Sequence, residues 1–420
     1  MNRLVTFGIA LSAVATLGMS SCDKAAPEKP GPGKELMLTA AEQEKALQNN
    51  LFAFELFRKA TSRLQAGDNA LLSPLSISAA LAMTNNGAVG ETRTAIEKTL
   101  KFEGMDAEAI NTYYQKLIED LPALDPRITL TMANSIWYRQ GFQVLSAFLD
   151  ANRTHYQADV SALDFADPGA PTVINDWVSN KTKKKIPTII EGDIPDDMML
   201  YLINAVYFKG AWEQRFDKSA TQKGGFVLPG GASLQTDFMH LKHAFKVAET
   251  DEIEAIELPY GDRKYSMVVL KPKGDRTPAQ LSALLTDGEA WETMVRRFQT
   301  RSTDLSFPKF TFSYENRLND ELTDMGMGMA FSDVADFSGI STEQTLTLSE
   351  VKHKSFVEVN EEGTEAAAVT SVGAFTTSAP TKPYVFTVDR PFLFVIREMG
   401  TGLILFIGQV NDPSVSTTMG

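Results

Sequence analysis

Cysteine is almost missing from this 420-residue sequence: Cys22 stands alone, so no internal disulfide can form and an exported fold would rest on its packed core. Histidine is nearly as scarce, with four in all. His240 and His243 lie close together, but no cysteine or third histidine accompanies them, so neither a closed metal site nor a cofactor is expected. The hydrolase patterns Gly-x-Ser-x-Gly and His-Glu-x-x-His do not occur. Ser-x-x-Lys does occur, at Ser349 to Lys352 and Ser306 to Lys309, without its companion Ser-Asp-Asn and Lys-Thr-Gly elements. Pro308 would break the helix that the second pattern needs. Catalysis by the chain itself is therefore not expected. Positive charge is also in deficit. The net charge is −13, and the longest basic run, Lys181 with Lys183–Lys185, is short. A nucleic-acid backbone, which needs clustered Lys and Arg, is a poor partner.

What is present suits a large soluble core: 43% hydrophobic and 22% charged residues. Residues 1–22 differ from the rest. Arg3 precedes an apolar run from Leu4 to about Met19, followed by Ser20, Ser21 and Cys22. This reads as a secretory signal, too short for a comfortable membrane span. It resembles a bacterial lipoprotein signal, in which the Cys22 thiol receives the lipid and becomes the new N-terminus. Residues 23–35, rich in Pro, Gly, Lys and Glu, read as a tether. The expectation is a monomer exported to the bacterial envelope, at the outer membrane or cell surface, and held to the membrane only through its N-terminal lipid. A single domain is expected from 36 to 413, with a tail over 414–420.

Helical periodicity dominates early, over 42–66, 76–86, 106–121 and 173–182. Strand signals follow at 200–208, 255–258, 265–270, 305–312, 355–359, 384–388, 392–397 and 403–410, with Gly400-Thr401-Gly402 marking a hairpin. Helices first and strands later indicate an α+β fold.

One segment is unlike the rest. From Glu361 and Glu362 the chain runs through Gly363, Thr364, Glu365, Ala366, Ala367 and Ala368 into further small residues, between two strand-like runs. Its composition is that of a loop, yet its alternation is that of a strand. Thr364, Ala366, Ala368, Thr370, Val372 and Ala374 form one set without charge or bulk, and Glu365 carries the single carboxylate of the other. The first set could face a packed interior. A plain flexible linker is the simpler alternative, but no domain boundary lies here.

Seven fragments, in order, resemble the serpin family across nearly the whole domain. They begin with Asn69 to Ile77 (including Ser73, Pro74 and Ser76), continuing through Ala80, Leu81 and Met83 to Gly87, Gly90 and Thr92. Next come Ile174-Asn175 with Trp177, Val178, Lys185 and Ile186, then Asn204 to Trp212 with Phe208, Lys209 and Gly210. Glu257 to Tyr260 with Ser266 and Met267, Pro308-Lys309-Phe310, Ala335 to Ser338, and Asp389 to Phe392 complete the set. Each fragment is weak alone; their order makes the match specific.

The resemblance implies three β-sheets, about nine helices, and an exposed reactive loop at about 361–383 whose hinge is Glu361–Ala368. It also implies a mechanism. A target serine protease cleaves the loop, which inserts as an extra strand and carries the acylated enzyme away. The handed-on roles are a shutter at Ser73, Ser76, Asn204 and His353, and a breach at Trp212 and Lys309, with Lys309 facing Glu361. The resemblance also implies that Gly363 lies 14 residues before the primary specificity residue, which puts that residue at Thr377 and the reactive bond at Thr377–Ser378. Thr there suits elastase-like or subtilisin-like pockets, and Phe375–Thr376 offers a chymotrypsin-like alternative. Two further alternatives stay open: a non-inhibitory binding protein on the same fold, and an inhibitor of cysteine proteases.

Overall fold

The computed structural model describes residues 34–102, 104–286, 288–343, 345–364 and 382–415. Among the described residues there are nine α-helices: α1 (Ala40–Thr61), α2 (Pro74–Asn85), α3 (Gly90–Thr99), α4 (Ala107–Asp120), α5 (Ser146–Tyr156), α6 (Ala170–Lys181), α7 (Pro278–Leu285), α8 (Glu289–Arg296) and the single turn α9 (Asn319–Leu322). Local chemistry sets their starts. Thr39 and Glu42 close a capping box on α1, and Pro74 occupies the first turn of α2, where its missing N–H is no loss. Every residue of α2 except Ala80 is buried. A helix buried on nearly every side, its polar Ser76, Ser78, Thr84 and Asn85 included, lies inside the molecule, and this one runs beneath a sheet.

That sheet has six strands in the order β10 (Phe310–Arg317), β11 (Lys352–Asn360), β12 (Gly363–Thr364), β4 (Leu200–Ala211), β2 (Ile128–Arg139) and β3 (Asp159–Leu163). Both its faces are covered near the centre. Val206 and Phe208 of β4 point into the main core, while Ile203 and Ala205 pack outward against Ile174 and Val178 of α6.

The other strands form one nine-stranded ladder. Its path is β1 (Ala70–Leu72), β15 (Ile404–Val410), β14 (Phe392–Glu398), β8 (Tyr265–Pro272), β7 (Ile253–Tyr260), β6 (Ser233–Glu249), β9 (Gln299–Pro308) and β13 (Tyr384–Thr387), with β5 (Gln222–Val227) on β6. Two of the three anticipated sheets are joined here by one long strand. β6 pairs with β5 and β9 over most of its length, and its last four residues pair with β7. The architecture is α+β, as the order of helical and strand signals in the sequence predicts.

The run at 305–312, which reads as one strand, is two. β9 ends at Pro308, β10 starts at Phe310, and the two belong to different sheets. Pro308 has no N–H for a ladder, and Lys309 turns the chain by donating its backbone N–H to the Asp237 carbonyl at 2.9 Å.

Candidate functional site

Two regions of the six-stranded sheet collect the residues singled out by sequence. The first is the top, where β11 leads into β12. After Asn360 the chain turns through Glu361 and Glu362 and re-enters the sheet. Gly363 lies opposite Asn360 on one side and Ala211 on the other, and Thr364 lies opposite Val359 and Gly210. Among the described residues no ladder joins β4 to β11 directly; each pairs with the two-residue β12.

Side chains hold this turn from several directions. The Trp212 indole stacks on Tyr260, with centroids 4.5 Å apart and planes 10° from parallel, and its Nε1–H donates to the Asn360 carbonyl at 2.9 Å. The backbone N–H groups of Trp212 and Phe216 donate to the Glu362 and Glu361 carbonyls, both at 3.0 Å. The Thr364 hydroxyl meets the Tyr260 hydroxyl at 2.7 Å inside the core. Lys218 pairs with Glu362.

The Glu361 carboxylate accepts from Lys309 Nζ at 3.0 Å and from the Thr221 hydroxyl at 2.8 Å. Burial by itself pushes the carboxyl up. The backbone N–H, Lys309 and Thr221 outweigh it and hold the group below the usual carboxylate range. With the Glu361 side chain 6% exposed, this is no surface ion pair, and the small contribution expected of an exposed pair does not describe it.

Gly363 is required by its backbone. Its φ of +148° lies where only glycine sits easily, and a Cβ there would stand 2.1 Å from the Gly210 carbonyl oxygen.

The second region is the start of α2. The backbone N–H of Ser73 donates to His353 Nε2 at 3.2 Å, and the Ser73 hydroxyl donates to the Leu405 carbonyl at 2.9 Å. The Ser76 hydroxyl donates to Asn204, whose Nδ2 donates to Asn134 Oδ1 at 2.7 Å. Asn134 in turn donates to the Tyr156 carbonyl at 2.7 Å. One helix start is thereby linked to β11 through Ser73 and to β4 through Ser76. Ser76, Asn204 and His353 line one cavity of about 460 Å³ between the two strands and α2. Burial pushes the His353 imidazole down to about 4, so the ring is neutral at pH 7 and accepts at Nε2.

Sequence reasoning missed Asn134, Thr221 and the Tyr260–Thr364 contact. Asn134 and Thr221 stand in no motif; Tyr260 stood inside the Glu257–Tyr260 fragment, but the hydroxyl it meets lies 104 residues away. Cys22, Glu365, Ala366, Ala367, Ala368, Phe375, Thr376, Thr377 and Ser378 lie outside the described residues.

Comparison with known proteins agrees with this geometry. The family model described as "Serpin (serine protease inhibitor)" matches residues 47–413. Iripin-5 of Ixodes ricinus is 35% identical over 88% of this chain and 95% of its own length. Human Serpin B4 is 34% identical over 87% of this chain and 98% of its own. The crystal structure of the thermophilic serpin tengpin in its native state superposes with a TM-score of 0.81 at 32% identity, covering 91% of this chain and 97% of that one. Family-model match, relatives and architecture lead to one conclusion: this chain belongs to the serpins, a family typically of protease inhibitors.

Proposed function

We propose that the chain is a suicide inhibitor of a serine endopeptidase, cleaved near Thr377–Ser378 and trapping the enzyme as an acyl ester when the loop enters the six-stranded sheet. The observation that carries this reading is β12: two residues of the hinge already occupy a rung between β4 and β11. Continuing both registers down the gap sets Ala366 between Phe208 and Val357, and Thr370 between Asn204 and His353. Each of these belongs to the small inward set, so the interior would receive methyl and hydroxyl groups rather than charge. Burying a charge there unpaired would cost several kcal/mol and stall the strand.

The chemistry divides in two. The protease serine oxygen attacks the Thr377 carbonyl carbon, the C–N bond to Ser378 breaks, and the new amine leaves with a proton supplied by the protease's own base. Water would normally hydrolyse the ester. Insertion competes with that hydrolysis: about 16 residues at ~3.3 Å each displace the ester on the order of 50 Å. Elastase-like and subtilisin-like enzymes fit Thr377, and a chymotrypsin-like enzyme fits Phe375. In this reading Cys22 carries a lipid, and residues 23–35 tether the inhibitor to a bacterial envelope.

The test is incubation with elastase, subtilisin, chymotrypsin and trypsin separately, followed by denaturing electrophoresis and mass spectrometry. The reading expects a denaturation-resistant adduct with a non-tryptic enzyme. Loop cleavage by all of them with no adduct would contradict it.

A further inference from the structure

Thr364 is the one residue of the hinge Glu361–Ala368 that carries a hydroxyl, and the fold sets a phenol against it. Tyr260 closes β7 and is buried. Its backbone is tied to the end of β4: the Gly261 N–H donates to the Ala211 carbonyl and the Glu213 N–H to the Pro259 carbonyl, both at 2.9 Å. Its ring is clamped on two sides. Trp212 stacks on one face, and Phe208 meets it nearly edge-on, with centroids 5.2 Å apart and planes at 70°. Gly210 leaves the ring its space, since a Cβ there would stand 3.0 Å from Tyr260 Cδ1.

A ring so held has one direction for its hydroxyl, and that direction leads to Thr364 Oγ1, 2.7 Å away. Burial pushes the phenol well above its ordinary range, so the hydroxyl keeps its proton and the contact is a hydrogen bond between neutral groups. Thr364 makes this contact while paired with both Gly210 and Val359. A longer strand in the same two registers would keep it, so the bond forms before cleavage and need not break for insertion. Gly363, one place earlier, has no side chain to offer the phenol. Because side chains alternate along a strand, an entry shifted by one residue would leave the Tyr260 hydroxyl unpaired in the core and turn the small set to solvent.

From this geometry we infer that Tyr260 is a positioning residue for loop insertion: its buried hydroxyl recognises Thr364 as the first inward side chain and thereby selects which face of the hinge enters the core. The inference rests on the insertion reading above and assigns its register to one residue. The selection is made early, at the step where insertion must outrun ester hydrolysis.

The test is a double-mutant cycle of Tyr260→Phe and Thr364→Val, with Thr364→Ser to keep the hydroxyl, on the full chain and the protease that wild type traps. Three quantities are read: the rate constant of loop attack, the ratio of inhibitor hydrolysed to inhibitor trapping, and the melting temperature of loop-cleaved chain. Each single variant is expected to raise the ratio about two- to tenfold, the factor of one lost hydrogen bond. The rate of attack should stay at the wild-type value, because the protease acts before the strand inserts; a general loosening of the fold would move both. The double variant should be no worse than the poorer single, and Thr364→Ser should trap as wild type does. Three results would overturn the inference and leave the inhibitory reading intact, given trapping by wild type: unchanged singles, independent defects that multiply in the double, or Thr364→Ser as poor as Thr364→Val. If Tyr260→Phe does not fold, the contrast of Thr364→Val with Thr364→Ser decides. If wild type traps no protease yet gains stability on cleavage, coupling of the two positions in the melting temperature of cleaved chain supports the inference, and zero coupling overturns it. A wild-type chain that does neither would overturn the insertion reading and this inference with it.

Discussion

Replacing Gly363 by alanine should expel the hinge from the sheet. The added Cβ would meet the Gly210 carbonyl oxygen at 2.1 Å, the Ala211 Cα at 2.7 Å and the Gly210 carbonyl carbon at 2.9 Å. All three are backbone atoms of β4, so no side-chain rotation relieves the clash. The dihedral adds its own penalty: at φ +148° a non-glycine residue carries about 1–3 kcal/mol of strain. Holding β12 in place yields little in return. It consists of two residues of ladder and one Thr364–Tyr260 contact at 2.7 Å, each bond contributing about 0.5–1.5 kcal/mol net. The cheaper outcome is release of β12, at roughly 2–4 kcal/mol overall. The assay combines thermal unfolding with Trp fluorescence, since Trp212 donates to Asn360 and stacks on Tyr260 at this turn. Uncleaved Gly363→Ala should melt several degrees lower and consume more inhibitor per protease trapped. Unchanged melting and unchanged stoichiometry would refute the placement of Gly363 against Gly210.

Three further outcomes follow from the same geometry. His353 is held at about 4 against an ordinary 6.5, so the unfolded chain binds a proton that the folded chain refuses. Its contribution is full above pH 6.5 and is lost as pH falls from 6.5 toward 4, by up to about 3 kcal/mol. His353→Asn should flatten the stability–pH curve in that window, and an identical slope in both proteins would remove His353 from the account. Ala366→Arg should turn the inhibitor into a substrate, because the continued register buries an arginine between Phe208 and Val357. An undiminished yield of adduct from that variant would count against insertion. Cys22→Ala should move the protein from the membrane fraction to the soluble one; if it stays with membranes, the lipid-anchor reading is wrong.

Much of this was legible in the sequence where one face of an element is buried and the other wet, or where every face is buried. The largely apolar run of α2, with only Ser76, Ser78, Thr84 and Asn85 polar, and the alternation of β11 are of this kind. β2 escaped notice because its middle residues are buried on both faces, packed between the main core and the α6 layer, which erases the period of two. β6 was missed for another reason: its seventeen residues pair with β5, β9 and β7 in turn, so no single burial period runs through Met239, His240, Lys242 and Lys246. Within the site, Trp212, the Lys309–Glu361 pair and the shutter residues Ser73, Ser76, Asn204 and His353 were named through family resemblance, and further partners were not. Trp212 needs the Asn360 carbonyl, Glu361 needs Thr221, and Asn204 needs Asn134, across separations of 148, 140 and 70 residues. Contacts of that range follow from the sheet registers, which local patterning does not encode.

The most direct test of the central claim, that β12 is the first rung of an inserting strand, is the thermal stability of the chain before and after cleavage in the loop. Limited proteolysis near Thr377, followed by calorimetry on intact and cleaved protein, reads it without any assumption about the target. A large rise in melting temperature on cleavage is predicted, as the loop fills the gap between β4 and β11. Equal melting temperatures in the two forms would contradict insertion and leave β12 as a local turn.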